Sequence, residues 1–105
     1  MSIQSRTRSA RCNTNVLLDQ IGRATVLAIS GGRVLPRAAG DGVILPVAHG
    51  YSVEVILAAN DTYTVRRVFT RGGKQWIKGA VCGVYCDRVG EVAYLASCYS
   101  DPFGD

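Results

Sequence analysis

Short turns at close intervals are the feature that most restricts what this chain can fold into. The turns are His49-Gly50, Asn60-Asp61 and Gly72-Gly73. They separate four extended segments, VILPVA (43–48), YSVEVILA (51–58), TYTVRRVFTR (62–71) and KQWIKGAVCGVY (74–85). Strands joined by such short connections pair with their neighbours in antiparallel order. The sequence therefore predicts an antiparallel meander.

Helical patterns and one more apolar run flank these segments. ATVLAIS (24–30) is apolar at nearly every position, which predicts a fifth, buried strand. Leu17, Leu18 and Ile21 have helical spacing, and a second helical stripe begins beyond Asp87. The predicted fold class is α+β: a five-stranded antiparallel meander sheet with an N-terminal and a C-terminal helix on one face.

Alternation within the segment 51–58 indicates which side of the sheet is covered. Side chains of a strand point alternately to its two faces, so every second residue is expected to face the helices. The residues predicted to be buried beneath the last helix, near Val92 and Ala96, are Tyr51, Val53, Val55 and Leu57.

The length of 105 residues predicts one domain with one modest core. The expected organisation is a flexible basic N-terminal tail at 1–13, a single α+β domain at 14–100 and a C-terminal tail at 101–105. Three of the twelve cations lie in the first tail, and the formal net charge is +4. No apolar run approaches the roughly 20 residues that span a bilayer, and none follows the basic N-terminus as in a secretory signal. We therefore expect a cytoplasmic protein with no membrane partner.

The cysteines Cys12, Cys82, Cys86 and Cys98 do not follow a zinc-binding pattern. The last three have the spacing C-x3-C-x11-C, which contains no C-x2-C pair. They are predicted to fill small gaps between the sheet and the last helix, with no metal or cofactor bound. The single histidine is not part of a recognisable Ser-His-Asp or Cys-His catalytic motif, so no catalytic residue and no enzymatic activity are predicted. A reactive Cys86 at the start of the last helix is the remaining alternative.

The basic segment RVFTRGGKQWIKG (67–79) is the strongest candidate for a binding surface. An exposed aromatic side chain between cations can stack on a base while the cations meet phosphates. The candidate contact residues for nucleic acid or for a partner protein are Arg66, Arg67, Arg71, Lys74, Trp76 and Lys78.

Two orientations of Trp76 are open. In the first, Ile77 shares the core side of its strand with Val81 and Tyr85, and Trp76 stands outside. In the second, a bulge at Gly79 reverses the register and buries Trp76.

Four fragments, LLDQIG, VLAISGG, LAANDTYTVRRVF and GVYCDRVGEV, resemble a family of small uncharacterised proteins of bacteriophages and prophages, particularly of actinobacterial phages. Related sequences share a Leu-x-Gln-Leu/Ile-Gly opening, an Asp-Thr-Tyr strand and a Gly-Val/Ile-Tyr-x-Asp segment entering the last helix. The likeness covers residues 16–95, and this chain differs in its longer N-terminal leader. The resemblance implies a phage-encoded accessory protein that acts in the host cytoplasm. It carries no functional residue over to this chain.

Two classes of function are consistent with these features. The first is a protein-interaction module that docks on a host or phage protein through an exposed sheet edge or the loop 31–42. It is preferred because the net charge is modest and no known nucleic-acid-binding motif is present. The alternative is a nucleic-acid-binding protein, for DNA or RNA, that uses the basic tail and the 66–78 hairpin.

Overall fold

The computed structural model describes residues 14–58 and 60–104. Within them the helices are α1 (Thr14–Ile21), α2 (Arg23–Ser30) and α3 (Val89–Ser97). The strands are β1 (Leu35–Pro36), β2 (Gly42–Pro46), β3 (Tyr51–Leu57), β4 (Tyr63–Arg71) and β5 (Lys74–Val84). They form one open antiparallel sheet in the order β1-β2-β3-β4-β5. The predicted α+β class with a five-stranded meander is confirmed, while the predicted tail at 1–13 lies outside the described residues.

The segment 24–30 forms a helix, so the strand predicted for it is wrong. α2 buries Val26 and Ile29, while Leu27 on its other side is 63% exposed. A run that is apolar at nearly every position satisfies both the helical and the extended pattern, so periodicity does not separate the two. The fifth strand is instead the short segment Leu35–Pro36, which pairs with β2.

The helices cover one face of the sheet and enclose the core. Val53 and Val55 of β3 are fully buried there, as predicted, whereas Tyr51 and Leu57 at the strand ends are half-buried. α3 packs on β3 and β4, and its Ala96 is buried in the same core. Further fully buried members of the core are Leu17, Val43, Leu45, Val65, Val89 and Ala93.

A buried arginine ties the C-terminal end of α3 to the sheet. Arg67 of β4 is 4% exposed, and its guanidinium donates hydrogen bonds to backbone carbonyls at and just beyond the end of the helix. The acceptors are Ala96 O (2.8 Å), Cys98 O (2.9 Å), Leu95 O (3.3 Å) and Asp101 O (2.6 Å). The last carbonyls of a helix have no partner within it and carry partial negative charge, so a cation at this position both satisfies and stabilises them.

The segment that follows α3 packs back against β5. Phe103 is buried in the core, and its ring centroid lies 5.4 Å from the guanidinium carbon of Arg67. This close approach depends on Gly79, because a Cβ there would overlap the backbone carbonyl oxygen of Phe103. The segment 101–105, predicted as a tail, therefore contributes a core residue.

We expect Arg67→Gln to lower the free energy of unfolding by about 3 kcal/mol or more, because the shorter side chain removes the donor to Ala96 O and Asp101 O and leaves a gap beneath the end of α3. Chemical denaturation followed by circular dichroism measures this change. Arg71→Gln is the matched control: it lies on the same strand but is exposed, and should change the stability by about 0.5 kcal/mol or less. Equal stabilities for the two variants would contradict the role assigned to Arg67.

Candidate functional site

The hairpin of β4 and β5 extends beyond the rest of the sheet. The strand pairing of β3 with β4 ends at Tyr51 and Phe69. One further backbone hydrogen bond runs from Thr70 N–H to Gly50 O (2.9 Å), and beyond it β4 and β5 pair with each other. Every residue from 70 to 78 is exposed. Gly72 and Gly73 form the tip with φ angles of 60° and 79°, the left-handed conformation that a two-residue hairpin turn requires. We call residues 70–78 the arm.

A bulge in β5 decides where Trp76 lies. The register shifts at Lys78, which is one extra residue in β5. The pairs on either side of it are Arg67–Gly79 and Val68–Ile77. Trp76 pairs with Phe69 on the face that the helices cover elsewhere, yet it is 44% exposed because it lies past the end of that cover. The predicted bulge is therefore present, but it does not bury Trp76.

The predicted core side of β5 is wrong at two of its three residues. Ile77 lies on the face opposite Trp76 and is 57% exposed, because the bulge puts it out of phase with Val81. Val81 packs against the core as predicted. Tyr85 follows the last residue of β5 and is exposed.

Trp76 is one end of a row of five aromatic rings. The centroid separations are 5.7 Å from Trp76 to Phe69, 5.0 Å from Phe69 to Tyr51, 4.6 Å from Tyr51 to Tyr99 and 5.9 Å from Tyr99 to His49. Phe69 and Tyr51 are paired across β4 and β3, and Tyr99 follows α3 and stacks on Tyr51 with 12° between the planes. The two end rings are exposed and the three inner rings are half-buried. We call these five residues the aromatic row.

Positive charge without a nearby carboxylate is concentrated on the arm. Arg71 and Lys74 pair with each other beside its tip, on the same face as Phe69 and Trp76. Among the described residues, no carboxylate lies within salt-bridge distance of Arg71, Lys74 or Lys78. The arginines that do have such a partner are Arg23, Arg37, Arg66 and Arg88. The arm therefore presents free cations next to exposed aromatic surface.

The structure brings together four of the six predicted contact residues and uses the other two elsewhere. Those on the arm are Arg71, Lys74, Trp76 and Lys78. Arg67 is buried beneath α3, where its hydrogen bonds hold the helix end. Arg66 lies on the opposite face of the sheet and pairs with the carboxylate of Glu54. Arg66 and Arg67 therefore drop out of the candidate contact surface.

The sequence reasoning missed the four other members of the aromatic row. Tyr51 and Phe69 were detectable in part, because each lies beside a predicted turn on a strand whose neighbour is known from the meander. Tyr99 and His49 gave no such signal, since they come from the end of α3 and from the turn between β2 and β3. Only the packing of α3 brings Tyr99 onto Tyr51.

The other face of the sheet carries no helix among the described residues and holds a balanced charge network. The Glu54 side chain is 5% exposed and accepts hydrogen bonds from Arg37 (2.8 Å) and from Arg66. Arg37 also pairs with Asp41 at 2.7 Å, so two arginines meet two carboxylates. An open groove of about 400 Å³ lies beside this network, with Leu35 on its wall.

The cysteines do not fill the gaps predicted for them. Cys82 and Cys86 are exposed and Cys98 is half-buried, while Cys12 lies outside the described residues. Over residues 14–58 and 60–104, no group of three His, Cys, Asp or Glu side chains could hold a metal ion.

No protein-family model, curated protein or solved structure matches this chain. In the described part of the chain, no helix is long and apolar enough to cross a lipid bilayer. The arm and the aromatic row are therefore the features from which a function has to be deduced.

Trp76 is the single tryptophan of the chain, so its fluorescence reports on the arm alone. We expect the emission of a partly exposed indole and ready quenching by acrylamide, because nearly half of its surface is open. Trp76→Ala should cost about 1 kcal/mol or less in stability, against about 2–5 kcal/mol for Leu45→Ala in the core. Blue-shifted emission that resists acrylamide would contradict the exposed position of Trp76.

Proposed function

We propose that the protein binds nucleic acid through the arm. The observation that carries this proposal is the set of cations Arg71, Lys74 and Lys78, which have no carboxylate partner among the described residues and lie on an exposed hairpin that also presents Trp76. Phosphate groups are the natural partners of such cations, and contacts to phosphate supply most of the affinity in sequence-independent binding. An aromatic side chain beside them adds a surface for bases.

The distribution of charge supports nucleic-acid binding by the arm more strongly than the net charge does. A formal net charge of +4 is modest for a chain of 105 residues. Elsewhere, however, the described arginines are either in salt bridges or, like Arg67, buried, with Arg33 the exception. Among the described residues, the cations without a carboxylate partner are therefore concentrated on the arm, where they can attract a polyanion.

The resemblance to small phage proteins implies the compartment in which the protein would meet nucleic acid. A phage-encoded accessory protein in the host cytoplasm meets phage and host nucleic acid at high concentration. The residues of the fragments that carry this resemblance do not include the tip of the arm, so the binding surface is argued from this chain alone.

A charge-removal variant tests the proposal. We expect the full-length protein to bind a fluorescently labelled oligonucleotide, measured by anisotropy, with an affinity that falls as salt rises. The triple variant Arg71→Gln, Lys74→Gln, Lys78→Gln should bind much more weakly. The negative slope of log affinity against log salt should become shallower by about 2, because fewer phosphates are neutralised.

The matched control removes the same amount of charge elsewhere. Arg88→Gln, Arg23→Gln and Arg33→Gln together also change the net charge by three, and all three residues are exposed and lie outside residues 70–78, with Arg33 on the groove that Thr70 and Gln75 also line. This control variant should keep most of the affinity and of the salt slope. Equal losses in the two variants would show that net charge and not the arm governs binding, and would refute the proposal.

A protein-interaction module is the second candidate, favoured by the uncovered face of the sheet. Leu35 is 48% exposed beside the open groove, and its neighbour Ile44 is half-buried. A groove that combines apolar and polar side chains in this way can receive an extended segment of a host or phage protein. A partner captured from nuclease-treated lysate that is lost with Leu35→Asp, and kept with Leu27→Asp on the helical side, would support this candidate.

A further inference from the structure

We infer that the ligand of the arm is single-stranded, and that its bases stack on the exposed rings at the two ends of the aromatic row while the cations of the arm hold its phosphates. This inference rests on the proposed function and names the class of nucleic acid that the site accepts. Its physical basis is the juxtaposition of the row with Arg71 and Lys74 on one face of the sheet.

The exposed rings require bases whose faces are accessible. In a duplex each base is covered above and below by its neighbours, so a protein reaches only base edges and the backbone. In a single strand the bases can be splayed out and stacked on aromatic side chains. Trp76 and His49 are the exposed ends of the row, so these two rings are the ones that meet bases directly.

The inner rings position the outer ones. Phe69 contacts Trp76 at 5.7 Å, and Tyr99 contacts His49 at 5.9 Å. Tyr51 joins the two halves and is stacked against Tyr99. The row is thus a continuous support of half-buried rings, and its exposed ends lose little side-chain freedom when a base is added, which favours binding.

The strand is bound with little sequence preference and over a short length. Stacking accepts every base because each has a π-face, and site sizes of small single-strand binders begin at about four nucleotides. The phosphates at the Trp76 end lie near Arg71 and Lys74, which share its face of the arm. The ligand is therefore an unpaired polynucleotide that runs from the arm across β4 and β3 towards His49.

The experiment compares single strands and duplexes on the full-length protein. Oligothymidylate, oligouridylate and a duplex of equal length are titrated at one salt concentration, with the anisotropy of a label and the fluorescence of Trp76 both recorded. We expect both single strands to quench Trp76 and to bind about tenfold or more tightly than the duplex. Affinity should rise with oligothymidylate length up to about four nucleotides and then level off.

Variants separate stacking from electrostatics. Trp76→Ala should weaken single-strand binding about tenfold, with partial recovery in Trp76→Phe, and should leave duplex binding unchanged. His49→Ala should weaken single-strand binding several-fold. The matched control is Tyr85→Ala, which removes an aromatic side chain that is even more exposed than Trp76 and lies beyond the far end of β5; this variant should bind as the unchanged protein does.

The outcomes distinguish this inference from the proposed function. If the duplex binds as tightly as the single strands, or if Trp76→Ala affects both alike, the ligand class assigned here is wrong. The proposed function then still stands, provided that the triple charge variant of the arm loses binding. If no nucleic acid of any kind binds at low salt, both the inference and the proposed function fail.

Discussion

The hydrogen bonds of the buried Arg67 guanidinium fix the C-terminal end of α3 on the sheet, and the segment that follows the helix is positioned by them. A charged side chain is costly to bury unless it is fully paired, and here the partners are backbone carbonyls at the end of α3 and at Asp101. The partial negative charge of the helix end makes these carbonyls good partners for a cation. Phe103 closes the site from the other side, which Gly79 permits by having no Cβ.

The same contacts also place part of the candidate binding surface. Tyr99 lies between Cys98 and Asp101, whose carbonyls Arg67 holds, and its ring stacks on Tyr51 of β3. The stability of the core and the geometry of the aromatic row are therefore coupled through one short segment. Beyond this segment the helical cover stops, while β4 and β5 continue. The exposure of Trp76 follows from that difference in length, since its face of the sheet is buried elsewhere.

The charged side chains on the two faces of the sheet differ in whether they have partners of opposite charge. On the uncovered face, Glu54 is nearly buried and is matched by Arg37 and Arg66, so this face holds its polar groups in internal pairs. On the arm, Arg71 and Lys74 have no described carboxylate within reach. Cations without a carboxylate partner among the described residues are available to an external anion, whereas Arg37 and Arg66 of the uncovered face already have one. This contrast is why the arm, and not the more extensive sheet face, supports the first of the two proposed functions.

The sequence by itself determined the meander, the residues of β3 that face the core and the two-residue tip at Gly72-Gly73, because turns and strand alternation are local properties. It did not determine the helix at 24–30, whose apolar residues suit either conformation until α3 and β2 select one face. It also left the orientation of Trp76 open and assigned Arg67 to the surface. Tertiary structure decided these points, because local patterns define which side a residue faces but not where the covering layer ends. The aromatic row is the clearest case: His49, Tyr51 and Tyr99 meet only after α3 has docked on the sheet.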